Sequence, residues 1–469
     1  MPADKVADSH RSERLSQAET RHALLTAAIA WGIFGSAWAS MVTGAPFVTF
    51  ARTRLEVSTF VFGLLSAVPF LGVLAQLPGS YWVERWRQRK RLFMTTNAGN
   101  RLVWLLVAAL PWAIPGQHGD LRVAALVVLM LVGSSLGHMG TPAWFSWFAD
   151  MVPERIRGRY LGNRAALATV TAIAVSATVT WVLDRDSSFR TFTILFSLAA
   201  LLGLTDILLF WTVREPPMPP RRGEPWRLRD VVLEPLRDRP FRGYLLYAWS
   251  EAFMFGISGP FFWLIGLEFL GIGNFWSNLY IMLVPMVFTA MALPVWGGLC
   301  DRFGSRPLVA LGTLVSIIFP VFWVLARPAH YHGLLGTAAV VGGLFAAAIQ
   351  VGDMNMLFSL TPRENRSSYL AVLALASSSA WAVAPTLGGA VAQALKPIQL
   401  HVLGLTLNNL HLLMLVSALA RLSHLLFIIP RLPERKSRSL SELARHLVGA
   451  PLRYGSRLFT SPTGEPRMR

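Results

Sequence analysis

The sequence predicts an all-α integral membrane fold of twelve transmembrane helices, and three observations carry that expectation. Only 14% of the 469 residues are charged while 54% are hydrophobic, whereas soluble chains average roughly 25% charged. The apolar residues fall in twelve long blocks. The 43 Lys and Arg residues are shared unevenly between alternate loops.

A hydrocarbon core about 30 Å thick takes about 20 apolar residues per helix, because every backbone polar group must be bonded within the segment. The first six blocks span residues 23–50, 57–82, 92–115, 121–149, 159–183 and 190–213. After an arginine-rich interruption come 242–267, 274–300, 306–327, 331–360, 367–394 and 406–430. Blocks longer than about 25 residues must tilt, bend or project into water.

The net charge of +18 follows the loops. With both ends on the cytoplasmic side, the tails and even-numbered loops hold 33 Lys and Arg, and the alternate loops hold 7. This is the positive-inside pattern. It predicts a multi-pass protein of the plasma (cell inner) membrane with both termini cytoplasmic. The basic balance is topological: its partner is the lipid bilayer, and no nucleic acid is implied. Arg21, the following apolar run and Ala37-Trp38-Ala39 imitate a secretory signal and its cleavage site. The long polar lead, and an apolar block that continues past Ala39, predict that this helix is retained. Cys300 is the single cysteine, which excludes an intrachain disulfide. No metal-ligand cluster, nucleotide-binding Gly-rich loop or nucleophile motif is present, so neither an enzyme nor a cofactor is expected.

Residues 214–241 form the long polar segment between spans, rich in arginine and proline. It divides the chain into a tail (1–22), a six-helix unit (23–213), a linker (214–241), a second six-helix unit (242–430) and a basic tail (431–469). Three anchors recur in order. Gly44-Ala45-Pro46-Phe47 returns as Ser258-Gly259-Pro260-Phe261, an offset of 214. Ser80-x-x-x-Glu84-Arg85 returns as Gly297-x-x-x-Asp301-Arg302, an offset of 217. Pro153-Glu154-Arg155-Ile156-Arg157-Gly158-Arg159-Tyr160-Leu161 returns from Pro362 to Leu370, an offset of 209. Ordered anchors at nearly constant offset mark an internal repeat, hence two pseudo-symmetric six-helix bundles.

The loop Gly297-Gly298-Leu299-Cys300-Asp301-Arg302-Phe303-Gly304-Ser305-Arg306 resembles the G-x-x-x-D-R-x-G-x-[RK] signature of the major facilitator superfamily. Asp150-Met151-Val152-Pro153, running on to Arg157-Gly158, resembles that family's motif between helices 4 and 5. The likeness covers about 21–430. It departs at Ser80, Glu84 and Arg87, and it lacks the helix 4 and helix 5 motifs of drug–proton antiporters, although Pro385-Thr386-Leu387-Gly388-Gly389 keeps a fragment. The resemblance implies a secondary transporter that moves a small solute of unknown identity around a central cavity by alternating access, proton coupled and monomeric. The rival readings are a transporter-like sensor, a lipid translocase or a polytopic membrane enzyme. It also implies a gate in which Gly297 lets helices approach and Asp301, Arg302 and Arg306 pair when the bundles close there. Asp150, Arg157, Glu84 and Arg85 are the first-half counterparts.

An isolated charge at a helix centre costs on the order of 2.5–3.5 kcal/mol on insertion scales, so such residues mark pathways, partners or packing knots. The intramembrane charges are Arg101, Arg164, Asp206, Glu251, Asp353 and Arg421. Because helices 1, 4, 7 and 10 line the cavity in the resembled family, Glu251 and Asp353 are candidates for solute or proton binding. Arg101, Arg164, Asp206 and Arg421 are then structural. Asn355 lies near Asp353 on another helix face, and His138 lies mid-span in helix 4. Paired Gly-Pro interruptions in matching helices point to a binding region, with Trp38 and Trp249 nearby. Residues 226–241 and 439–458 read as amphipathic helices on the anionic inner leaflet.

Overall fold

The computed structural model describes residues 16–447, except 154–155, 217, 219–227, 363–365, 403–404, 433 and 435–437. Glu154-Arg155 and Arg363-Glu364-Asn365 of the repeat, Trp226 of the linker, and 448–458 therefore lie outside the described residues.

Each apolar block is a helix. The first bundle comprises α1 (Gln17–Arg54), α2 (Thr59–Trp86), α3 (Arg89–Ala113), α4 (Gly119–Met151), α5 (Arg157–Arg185) and α6 (Phe189–Thr212). The second comprises α7 (Arg239–Phe269), α8 (Asn274–Phe303), α9 (Ser305–Leu325), α10 (Tyr331–Leu360), α11 (Arg366–Ala394) and α12 (Asn409–Arg431). Among the described residues, eleven helices are long and apolar enough to cross a membrane. The twelfth, α3, is 25 residues long, and its apolar run is diluted by Arg89, Lys90, Arg91 and Arg101. Large apolar side chains such as Trp211, Leu419 and Val170 remain exposed on the outer faces, as lipid contact requires.

Local chemistry sets the ends. Ser58 and Ser188 cap α2 and α6 by accepting from Val61 N and Thr191 N, which satisfies donors that a helix start leaves open. Asp238 does the same for Phe241 N at α7. Two carboxylates cap the helices that follow the repeated basic loops. Glu215 accepts from Arg89 N (2.8 Å) and Lys90 N (3.2 Å) of α3, and Glu434 accepts from Ser305 N and Arg306 N of α9, both at 2.7 Å. Negative charge at a helix N-terminus is stabilising. Both α1 and α7 are interrupted where the repeat places its Gly-Pro pairs: at Gly44, whose φ of +64° suits glycine, and at 257–260.

The bundles meet without space for side chains at α2 and α11. A Cβ on Gly63 would lie 2.3 Å from the Pro385 carbonyl oxygen, and one on Gly389 would lie 2.8 Å from that of Thr59. Small residues permit this backbone approach inside a membrane. A short antiparallel ribbon, β1 (Leu400–Val402) with β2 (Leu405–Leu407), lies between α11 and α12, which periodicity alone did not suggest.

The basic tail differs from its expectation. Residues 440–447 are helical, but their apolar face packs on protein instead of lipid. Leu443 is fully buried in a cluster with Trp296, Cys300, Phe303 and Leu308. The cause is a short tether: Arg438 N donates to the Phe303 carbonyl (2.9 Å), which holds the segment against the end of α8.

Candidate functional site

The hydrogen bonds and ion pairs that join the halves cluster at the face opposite the chain termini, termed the far face. Arg52 Nε reaches Glu268 Oε1 at 2.6 Å, linking α1 to α7. Thr49 donates to the Asn274 side chain. Asp184, at the end of α5, accepts from Phe275 N (2.9 Å), Asn274 Nδ2 (3.0 Å) and Asn274 N, so an acid of one bundle caps the first turn of α8 in the other. Asn278 donates to Ser176 Oγ at 2.6 Å. These residues escaped the sequence reading because they lie at or near helix ends, where polar side chains are common and carry no motif. The signal present was Gly271-Ile272-Gly273-Asn274, a helix start that supplies no cap of its own.

At the termini face the gate residues are apart. Asp301, Arg302, Glu84 and Arg85 are exposed. The Arg302 guanidinium lies 5.4 Å from the Phe303 ring centroid, and the Arg306 backbone is held by Glu434. The expected close approach at Gly297 is absent in this conformation: a Cβ there would meet nothing within 4 Å, because the halves are pressed together at the opposite face. Asp150 pairs inside its own bundle, accepting from Arg89 Nη1 at 2.5 Å. The Arg89 side chain is almost fully buried and also contacts Glu215 and Ser146. Arg157 donates to the carbonyls of Ala149 and Val152.

Two cavities follow one another along α1 and α5. One, of about 290 Å³, is lined by Ser36, Ser40 and Thr43 of α1, Thr169 and Ser176 of α5, and Met282 of α8 among others. The second, of about 610 Å³, opens nearer the termini and ends at Ala28 and Leu167, within a turn of where the first begins. None of Glu251, Asp353, Asn355, His138, Trp38 and Trp249 lines either cavity.

The intramembrane charges sort by half. Arg101 Nη2 donates to Asp206 Oδ2 at 3.1 Å, with both side chains buried. The guanidinium carbon of Arg101 lies 3.4 Å from the Trp38 ring centroid, so Trp38 serves this pair. Asp206 does not meet Arg421, which is buried on α12, donates to the Ser316 carbonyl (2.8 Å) and faces the ring of Phe255 at 4.5 Å. Arg164 Nε donates to the Ala27 carbonyl at 3.0 Å, and its guanidinium faces Trp144 and Phe148.

In the second half Glu251 and Asp353 are brought together. Their carboxyls interact directly. The Tyr247 hydroxyl donates to Asp353 Oδ1, and the Tyr244 hydroxyl donates to the Asp353 backbone carbonyl at 3.2 Å. Glu251 Oε1 is shielded from solvent and has no hydrogen-bond partner among the described residues. No ion pair among the described residues includes either acid. The tyrosines carried no sequence motif, although Tyr247 and Glu251 are four residues apart, on one helix face. Asn355 points elsewhere, donating to Ser305 Oγ (2.9 Å) on α9. Trp249 donates to Ser379 Oγ at 3.1 Å, and His138 Nδ1 lies 3.3 Å from Gln76 Nε2.

A family model described as Major Facilitator Superfamily matches residues 23–385 and 271–462. The Multidrug resistance protein MdtG of Serratia proteamaculans (strain 568) is 28% identical over 167 residues, covering 33% of this chain and 39% of that protein. The protein of the same name from Erwinia billingiae (strain Eb661) is 27% identical over 145 residues, 29% of this chain and 33% of its own length. The matched part is thus little more than a third of these relatives. Among solved structures, a bacterial homolog to the human lysosomal transporter Spinster, described as inward-facing and occupied, superposes with a TM-score of 0.68 at 16% identity, covering 91% of this chain and 100% of that one. The nucleoside transporter NupG gives 0.65 at 10% identity over 89% and 100%, and a D-xylose-proton symporter gives 0.64 at 16% over 88% and 99%. At these identities the structural likeness concerns the fold.

Proposed function

Because this chain belongs to the major facilitator superfamily and is a transporter of small solutes, we propose that it works by proton-coupled alternating access, with Glu251 and Asp353 as the proton site. The carrying observation is the contact of these two acids within the membrane-spanning part, with no cation paired to them among the described residues. Two ionised carboxylates so placed repel each other in a low dielectric. The pair is built to hold a shared proton, and Tyr247 orients the Asp353 side of it.

In this reading the conformation described is closed at the far face and parted at the termini face. The charge distribution supports a cytoplasmic termini face. The Asp184 cap and the Arg52–Glu268 pair hold this state. Asp301 and Arg302 act in the opposite state, when their helix ends meet the other bundle. Loss of the proton returns net negative charge to the site between α7 and α10, which biases the exchange between states by the difference in its solvation.

The test is transport by Glu251→Gln in proteoliposomes with a pH gradient and a panel of labelled solutes, compared with solute exchange at equal pH. The carboxamide keeps size and hydrogen bonding but cannot cycle a proton. Gradient-driven uptake is expected to vanish while exchange continues. Normal gradient-driven uptake would remove Glu251 from the coupling site.

A further inference from the structure

We propose that the cavity between the termini-side ends of α1 and α5 binds the anionic head of an amphiphilic organic anion, with Arg164 and Arg21 as its cationic wall. This rests on the reading of the chain as a solute carrier, and it names a solute class.

Four observations converge. The cavity, of about 610 Å³, has the size of a small-molecule site. Its lining contains Arg21, Arg164, Asn163 and Tyr160 but no carboxylate among the described residues. Arg164 lies within a membrane-spanning helix yet has no acidic partner at ion-pair distance among the described residues. Only its Nε is committed, to the Ala27 carbonyl, leaving the terminal nitrogens without a hydrogen bond among the described residues.

An intramembrane arginine with no acid at ion-pair distance is costly, and such a residue usually has a partner. Here Trp144 and Phe148 hold the guanidinium from one side through their ring faces, at 5.6 and 5.2 Å. The guanidinium is a planar fork whose geometry matches a carboxylate or phosphate. Next to the arginines along the same two helices, Leu24, Leu25, Ala28 and Leu167 supply apolar lining. A charged head with an apolar body fits both, whereas a sugar or a cation leaves the arginines unanswered. The hydroxyl-lined cavity within a turn of Ala28 and Leu167 offers such a molecule a way inward.

The same head chemistry can come from a free organic acid or from an anionic lipid, so the test has two arms. The full chain is placed in phosphatidylcholine nanodiscs and titrated calorimetrically with 2-naphthoate, and with 2-naphthamide as the neutral isostere. Saturable binding of the acid is expected, at least tenfold tighter than the amide. Arg164→Gln should weaken it at least tenfold, and Arg21→Gln, at an exposed position, should weaken it less. In discs containing phosphatidylglycerol, native mass spectrometry asks whether that lipid stays bound to wild type and is lost from Arg164→Gln. If it does and it excludes 2-naphthoate, the anion site stands with a lipid as its source. Equal affinity for acid and amide, or acid binding unchanged in both arginine variants, would overturn the proposal. Binding is read at equilibrium without a gradient, so failure here leaves the coupling test at Glu251 untouched, and failure there leaves this site untouched.

Discussion

In the first half, Asp206 on α6 faces Arg101 on α3 at 3.1 Å, and Trp38 of α1 closes over the guanidinium. In the second half, Arg421 on α12, the helix that corresponds to α6, is buried against a carbonyl and the ring of Phe255. The acids of that half, Glu251 and Asp353, lie against each other instead. The same architecture thus neutralises its buried acid in one bundle and concentrates acid in the other. A salt-bridged acid has its charge answered by a cation, whereas two acids in contact do not answer each other's charge. On the proposed reading, the first repeat serves as scaffold and the second holds the proton site.

The largest expected effect comes from unbalancing the first half. Arg101→Met strands Asp206 as a buried charge, and removing one partner of such a pair typically costs about 3–5 kcal/mol. Thermal unfolding in detergent should show a clear loss of stability, and adding Asp206→Met should restore most of it. Arg421→Met removes a cation with no acid at ion-pair distance among the described residues, so its stability should stay within about 1 kcal/mol of wild type. Equal losses for the two arginine variants would erase the distinction between the halves.

A smaller effect is expected at the gate. Asp301 is exposed in the conformation described, so Asp301→Asn removes nothing here and weakens only the state closed at the termini face. A loss of about 1.4 kcal/mol in that state would change the population ratio tenfold. With Cys300 replaced and a single cysteine placed in the termini-side half of α10, Asp301→Asn should label faster from the termini side. A matched far-face probe should label more slowly. Unchanged rates at both probes would leave Asp301 a residue of topology alone.

The helices were legible because a membrane span is written as length and apolarity, and both survive any tertiary arrangement. The interruptions at Gly44 and 257–260 were legible from their Gly-Pro pairs, and the buried charges from their rarity. What each charge would meet was not. Arg101 and Asp206 are 105 residues apart, and nothing in a single chain records that their helices adjoin. The caps by Glu215 and Glu434 were hidden for a related reason, since they lie in irregular segments after α6 and α12 and act on helices far back in the chain. Asp184 carries no mark in the sequence, and its use as a cap for α8 follows from the contact of the two bundles at the far face. Gly297 shows the converse: its motif led to an expected close approach, and its surroundings are open in this conformation.

Infrared difference spectroscopy between acid and alkaline pH addresses the division of labour most directly, because it reports the carbonyl stretch of protonated carboxyls inside the protein. The spectra would be recorded in nanodiscs for wild type, Glu251→Gln, Asp353→Asn and Asp206→Asn. A band of a protonated acid that bleaches as pH rises is expected in wild type and in Asp206→Asn, and it should be lost or displaced in Glu251→Gln and Asp353→Asn. A bleaching band that survives unchanged in both second-half variants, or one that disappears with Asp206, would place the exchangeable proton outside the Glu251–Asp353 pair.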